Sequence, residues 1–136
     1  MKIGIISAVM ILVLDTSVWA HGENKPGPHG GFIRMPGAFH TEVVREAGAK
    51  LKIYLIDMQW KHPTTRDSSV QISLKNTKSI KAKCESKTDH FVCSLPKGTD
   101  LTAGELIVQA TRENQVGNAA VYPLPLKLLA ESHEGH

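Results

Sequence analysis

The chain has 136 residues, 41% hydrophobic and 21% charged, with a formal net charge of +3. That is one domain's worth of residues, enough for a single core. Its lysines are scattered (Lys50, Lys52, Lys75, Lys78, Lys81, Lys83, Lys87) and its aromatic residues amount to 5%, which argues against the basic, ring-interleaved surface of a nucleic-acid binder.

Residues 1–20, MKIGIISAVMILVLDTSVWA, carry the three parts of a secretory signal in order. Lys2 is the positive start, Ile3 to Leu14 the apolar run, and Val18 and Ala20 the small residues before the cut. The rival reading is a membrane anchor, but Asp15 ends the run short of the roughly 20 apolar residues that a bilayer core requires. Cleavage is therefore expected after Ala20. It would give an exported chain that starts at His21 and has no further membrane segment.

Residues 21–31, HGENKPGPHGG, hold two prolines and four glycines in eleven positions. This composition excludes a helix or central strand and predicts an arm, flexible or locally pinned. Residues 32–127 then follow a period of two. Strands are expected at Phe32 to Met35, Ala38 to Arg45 and Ala49 to Asp57, with turns at Pro36-Gly37 and Ala47-Gly48. In the third, Leu51, Ile53 and Leu55 alternate with Lys50, Lys52 and Tyr54, predicting one buried and one wet face. A polar loop follows to Ser69. Further strands are expected at Val70 to Leu74, Ile80 to Cys84, Phe91 to Leu95, Leu106 to Ala110 and Ala119 to Leu126. Residues 128–136 form a polar tail. Six to eight short strands with Gly and Pro punctuation, and no helical period beyond the signal, point to an all-β fold. We expect an antiparallel β-sandwich of immunoglobulin-like type, with a small barrel as the other option.

Cys84 and Cys93 sit in two alternating segments flanking a polar stretch, so a cross-strand disulfide stapling a hairpin is expected in an exported chain. A redox pair more often has the CxxC spacing, and a thiolate metal pair suits an oxidising compartment poorly.

The seven histidines cluster towards the ends of the mature chain. His21, as the first mature residue, would offer an α-amine and Nδ1 to one ion. His29 lies among glycines. Met35 adds a soft thioether, and His40 and Glu42 share one face of a strand. Imidazole with a thioether suits copper, with zinc as the alternative. The expected metal ligands are therefore His21, His29, Met35, His40 and Glu42. Glu23 occupies the third mature position, where the strong amino-terminal Cu(II) motif requires histidine. His133 and His136 in the tail, with Glu131 or Glu134, form a weaker set. His62 and His90 read as structural or surface residues. No HExxH, phosphate-binding glycine loop or GxSxG elbow is present, so no catalytic residue is assigned.

The residues His21, Gly22, Gly27, Pro28, His29, Gly30, Gly31, Phe39, His40 and Glu42 give this chain a segment of the form HG…GPHGG…FHxE. It resembles the corresponding segment of small periplasmic proteins of copper and heavy-metal resistance, which is shared with adaptor subunits of heavy-metal efflux pumps. The following LKIYLIDMQWK is similar to the next strand in those proteins. The resemblance covers about the first 45 mature residues and does not extend to the cysteine hairpin. It implies a periplasmic copper-binding or delivery protein, possible partnership with an envelope metal efflux system, and roles for His29, His40 and His21. The chain lacks the adaptors' helical hairpin, so it is not itself an adaptor. It also lacks a Met-rich stretch, which speaks against an exclusively Cu(I) role. Two other functions are open to such a sequence: an envelope interaction module without metal, and an oxidase-type copper enzyme using the N-terminal histidine. For the latter the chain is short and poor in aromatic surface.

Overall fold

A computed structural model describes residues 25–128. The expected signal segment, His21, His133 and His136 lie outside the described residues. Ten strands form: β1 (Phe32–Arg34), β2 (His40–Arg45), β3 (Lys50–Ile56), β4 (Ser69–Lys75), β5 (Ser79–Lys81), β6 (Lys83–Ser86), β7 (Phe91–Ser94), β8 (Glu105–Arg112), β9 (Gln115–Val116) and β10 (Ala120–Pro123). They pair into two antiparallel sheets. One runs β1-β2-β3-β7-β6 and the other β10-β8-β4-β5, with β9 paired to β8.

Taking β2, β3, β4, β5, β6, β7, β8 and β10 as strands A, B, C, C′, D, E, F and G gives the ABED and GFCC′ order of the immunoglobulin sandwich. The expected sandwich stands, with more strands than the six to eight expected. The single strand expected at Ile80 to Cys84 is in fact two. β5 pairs with β4, and β6 pairs with β7 in the opposite sheet. Between them Ala82 donates its N–H to the Ile72 carbonyl at 2.9 Å. The short β9 arises from a two-residue hairpin in which Glu113 and Asn114 adopt positive φ, the backbone of a type I′ turn.

Alternating side chains of both sheets fill the space between them. Leu51, Ile53 and Leu55 of β3 meet Val70, Ile72 and Leu74 of β4 and Leu106, Val108 and Ala110 of β8, together with Phe39, Phe91, Cys93 and Tyr122. Burying each large aliphatic side chain contributes about 1.5–3 kcal/mol. Cys84 and Cys93 are directly opposed in the β6–β7 register and joined by a disulfide. Their Cα atoms are 4.0 Å apart. Closing so short a loop is worth about 2.5 kcal/mol on the chain-entropy account.

Two arginines tie the sheets together, one at a margin and one between interior strands. Arg34 of β1 donates through Nε to the Val121 carbonyl of β10 at 3.2 Å, and its guanidinium lies 4.6 Å over the Tyr122 ring. Arg112 of β8 donates to the Leu55 carbonyl of β3 at 3.2 Å and to the His62 carbonyl at 2.7 Å. The Tyr122 hydroxyl donates to the Thr41 carbonyl at 3.0 Å, adding another tie between the sheets. Burial raises the pKa of this phenol above its ordinary value, so it is neutral near pH 7.

Candidate metal centre

The outer face of the β1-β2-β3-β7-β6 sheet carries the functional candidates. In register, Ile33 of β1 faces Glu42 of β2, and Glu42 faces Tyr54 of β3. One step beyond the Ile53–Phe91 pair, His90 comes against Tyr54, with ring centroids 5.1 Å apart. Ile33, Tyr54 and Ile56, with Val44 and Trp60 packed on them, form a second small apolar cluster there. The wet face expected for β3 is therefore covered at Tyr54 and Ile56.

At Tyr54 the cover is the arm. Gly27 and Gly30 close a tight turn, with the Gly30 N–H on the Gly27 carbonyl at 2.9 Å and the Gly27 N–H on the Gly31 carbonyl at 2.8 Å. The turn grips the carboxylate of Glu42, which is fully buried. Oε2 accepts the backbone N–H of His29 at 2.8 Å and of Gly31 at 2.9 Å. Oε1 meets His29 Nδ1 at 2.7 Å. An ionised carboxylate only accepts, so Nδ1–H donates, and a neutral ring in this orientation carries its lone pair on Nε2. The His29 ring is stacked on Tyr54, 3.6 Å between centroids and 5° from parallel.

The glycines of this segment have distinct physical roles. A Cβ on Gly31 would lie 2.5 Å from the Val43 carbonyl oxygen, and one on Gly27 would run into the Glu42 carboxylate and lie 2.6 Å from Ile33 Cδ1. Gly30 has φ of 76° and open space around it, so it supplies the left-handed turn.

The expected ligands are thus placed differently from one another. His29 and Glu42 are brought together, but Glu42 serves as the buried anchor of the histidine, with both oxygens occupied. His40 lies on the same face and is buried; it donates Nδ1–H to the Asp57 carbonyl at 3.1 Å and sits edge-on to Trp60 at 5.9 Å. Met35 follows β1 and is half-buried, outside the Glu42 hydrogen-bonded group. The arm also reaches this end of the sheet, where Lys25 Nζ lies 5.2 Å over the Trp60 ring. Among the described residues, no three His, Cys, Asp or Glu side chains gather closely enough to hold one ion. Sequence reasoning assigned no site role to Tyr54, His90 or Trp60. The one available signal was that the outward positions of β3 include a tyrosine and an isoleucine among the lysines.

All four histidines of the described residues have Nδ1 engaged. His90 Nδ1 is 2.7 Å from Asp89 Oδ1, and His62 Nδ1 is 2.7 Å from Asp57 Oδ2. The His62 bond, followed by the Lys61 and Gln59 amides, holds the Asp57 carboxyl down to about 2. A depressed carboxylate stabilises the fold above its unfolded pKa of 3.8, and that contribution is lost as pH falls from there towards 2. The Asp57 carboxyl carbon, followed by NMR, is accordingly expected to titrate near 2, and the midpoint is expected to rise in His62→Ala. An unchanged midpoint in that variant would show that His62 does not hold the group.

No family model, curated protein or solved structure matches this chain. The site is therefore read from its own chemistry.

Proposed function

We propose that this chain is an exported, periplasmic metal-binding protein that sequesters or delivers copper, with zinc as the alternative ion. The observation that carries the reading is the His29–Glu42 pair. A metal-binding imidazole characteristically donates its other ring N–H to a carboxylate, which fixes tautomer and orientation and raises ligand basicity. His29 has this arrangement, with its side chain 30% exposed and Glu42 fully buried beneath it. The resemblance of the GPHGG…FHTE segment to heavy-metal-resistance proteins supports the same reading. The Cys84–Cys93 disulfide supports export, since such bonds persist in oxidising compartments. His21 precedes Lys25 by four residues, which span at most about 14 Å, so the expected mature N-terminus is within chain reach of the arm-covered face. A site with few fixed protein donors suits exchange of the ion with a partner such as an efflux system.

Native mass spectrometry of the processed chain, titrated with Cu(II), Cu(I) and Zn(II), tests this. One retained ion in the wild type, lost in His29→Ala, is the expected result. Binding no tighter than micromolar for all three ions would end the metal reading and leave the interaction module.

A further inference from the structure

The Tyr54 ring is flanked by two imidazoles. His29, from the arm, is stacked on it at 3.6 Å, and His90, just before β7, packs against it at 5.1 Å. Glu42 and His90 occupy opposite sides of Tyr54 in the sheet, one from the β2 side and one from the β7 side. Since His29 Nδ1 is turned to Glu42, its Nε2 faces away from β2. His90 repeats the device: Nδ1 is held by Asp89 at 2.7 Å, which leaves Nε2 for another partner. Its side chain is 19% exposed, and its backbone carbonyl accepts the Lys87 N–H at 2.7 Å, closing the hairpin turn. Two imidazoles, each oriented by its own carboxylate, thus converge on one phenol ring from elements far apart in sequence.

We infer that His90 is the second nitrogen donor of the metal site, so that a borderline divalent ion, Cu(II) or Zn(II), is held by His29 and His90 at the edge of Tyr54. This inference rests on the function proposed above and adds a residue that reads from the sequence as structural or surface. Imidazole nitrogen is a suitable donor for both ions. Two protein nitrogens leave coordination positions open for water or a recipient's ligand. The turn carrying His90 belongs to the hairpin closed by Cys84–Cys93, so the disulfide steadies one ligand while Glu42 steadies the other.

The test is competition titration of the full processed chain with Cu(II) and with Zn(II), for the wild type, His29→Ala, His90→Ala and His90→Gln. It is paired with electron paramagnetic resonance of the Cu(II) form to count coupled nitrogens. His90→Ala and His90→Gln are expected to weaken affinity by more than about 10-fold, as is expected of His29→Ala, and to lose one coupled nitrogen. Circular dichroism of His90→Gln, expected to match the wild type, separates ligand loss from misfolding. Wild-type affinity and nitrogen count in both His90 variants, with loss in His29→Ala, would overturn the inference and leave the proposed function standing. No binding by the wild type would overturn both.

Discussion

Replacing Glu42 by glutamine is expected to leave the fold almost intact and to weaken metal binding by about 10- to 100-fold. The amide can still accept the His29 and Gly31 N–H groups through its oxygen. Its NH₂ then faces His29 Nδ1, which must become the acceptor. The imidazole proton moves to Nε2, and the lone pair that a metal requires is lost. Glu42→Ala acts differently. It removes the acceptor of two amides and of Nδ1–H from a fully buried position. Each orphaned group would cost about 1–3 kcal/mol if it stayed buried. The arm can instead lift away and hydrate those amides, which sets a ceiling. A loss of about 2–3 kcal/mol in urea unfolding is expected, with rapid hydrogen exchange at His29 and Gly31. Imidazole ¹⁵N shifts report the tautomer directly. A glutamine variant that retains the Nδ1–H form and full affinity would refute the orienting role of Glu42.

Gly31→Ala and Gly30→Ala are expected to differ sharply although the residues are adjacent. The new methyl on Gly31 would meet the Val43 carbonyl at 2.5 Å and Val44 Cγ2 at 2.8 Å. The carbonyl belongs to β2 and cannot retreat without disturbing its pairing, so about 3 kcal/mol is expected, the upper range for overpacking. Gly30→Ala meets no atom within 4 Å and has only its φ of 76° to contend with, a strain of about 1–2 kcal/mol. Denaturant midpoints of the two variants, measured side by side, decide the matter. Equal midpoints would mean that the arm does not lie against β2 as described.

The periodic strands were legible because each sandwich strand presents one face to a shared core. Leu51, Ile53 and Leu55, and Val70, Ile72 and Leu74, betray themselves in this way. The same rule hid the change of sheet after β5. Ile80, Ala82 and Cys84 all pack against the core, so the alternation runs unbroken although the chain passes from one sheet to the other. β9 was hidden because Val116 is 76% exposed and its turn uses Glu113-Asn114 in place of a glycine pair. At the site, the alignment of His40 with Glu42 on one face was legible from strand periodicity. The pinning of the arm was not. It depends on a carboxylate 13 residues downstream of His29, and Gly/Pro composition describes the freedom of a segment without naming what holds it. Tyr54 was read as wet for the same reason: its cover comes from outside its own strand.

The margins of the two sheets bear on how copies of this chain meet one another. β1 and β5 are three residues long, β6 and β10 four. The β1 margin turns the charge of Arg34 inward, Lys81 and Lys83 stand on the β5 and β6 margins, and Pro123 ends β10. These are the features that deny an incoming strand a long, flat template. Edge-to-edge pairing of two copies through these margins is thereby disfavoured, and the sandwich is kept from serving as a template for further strands.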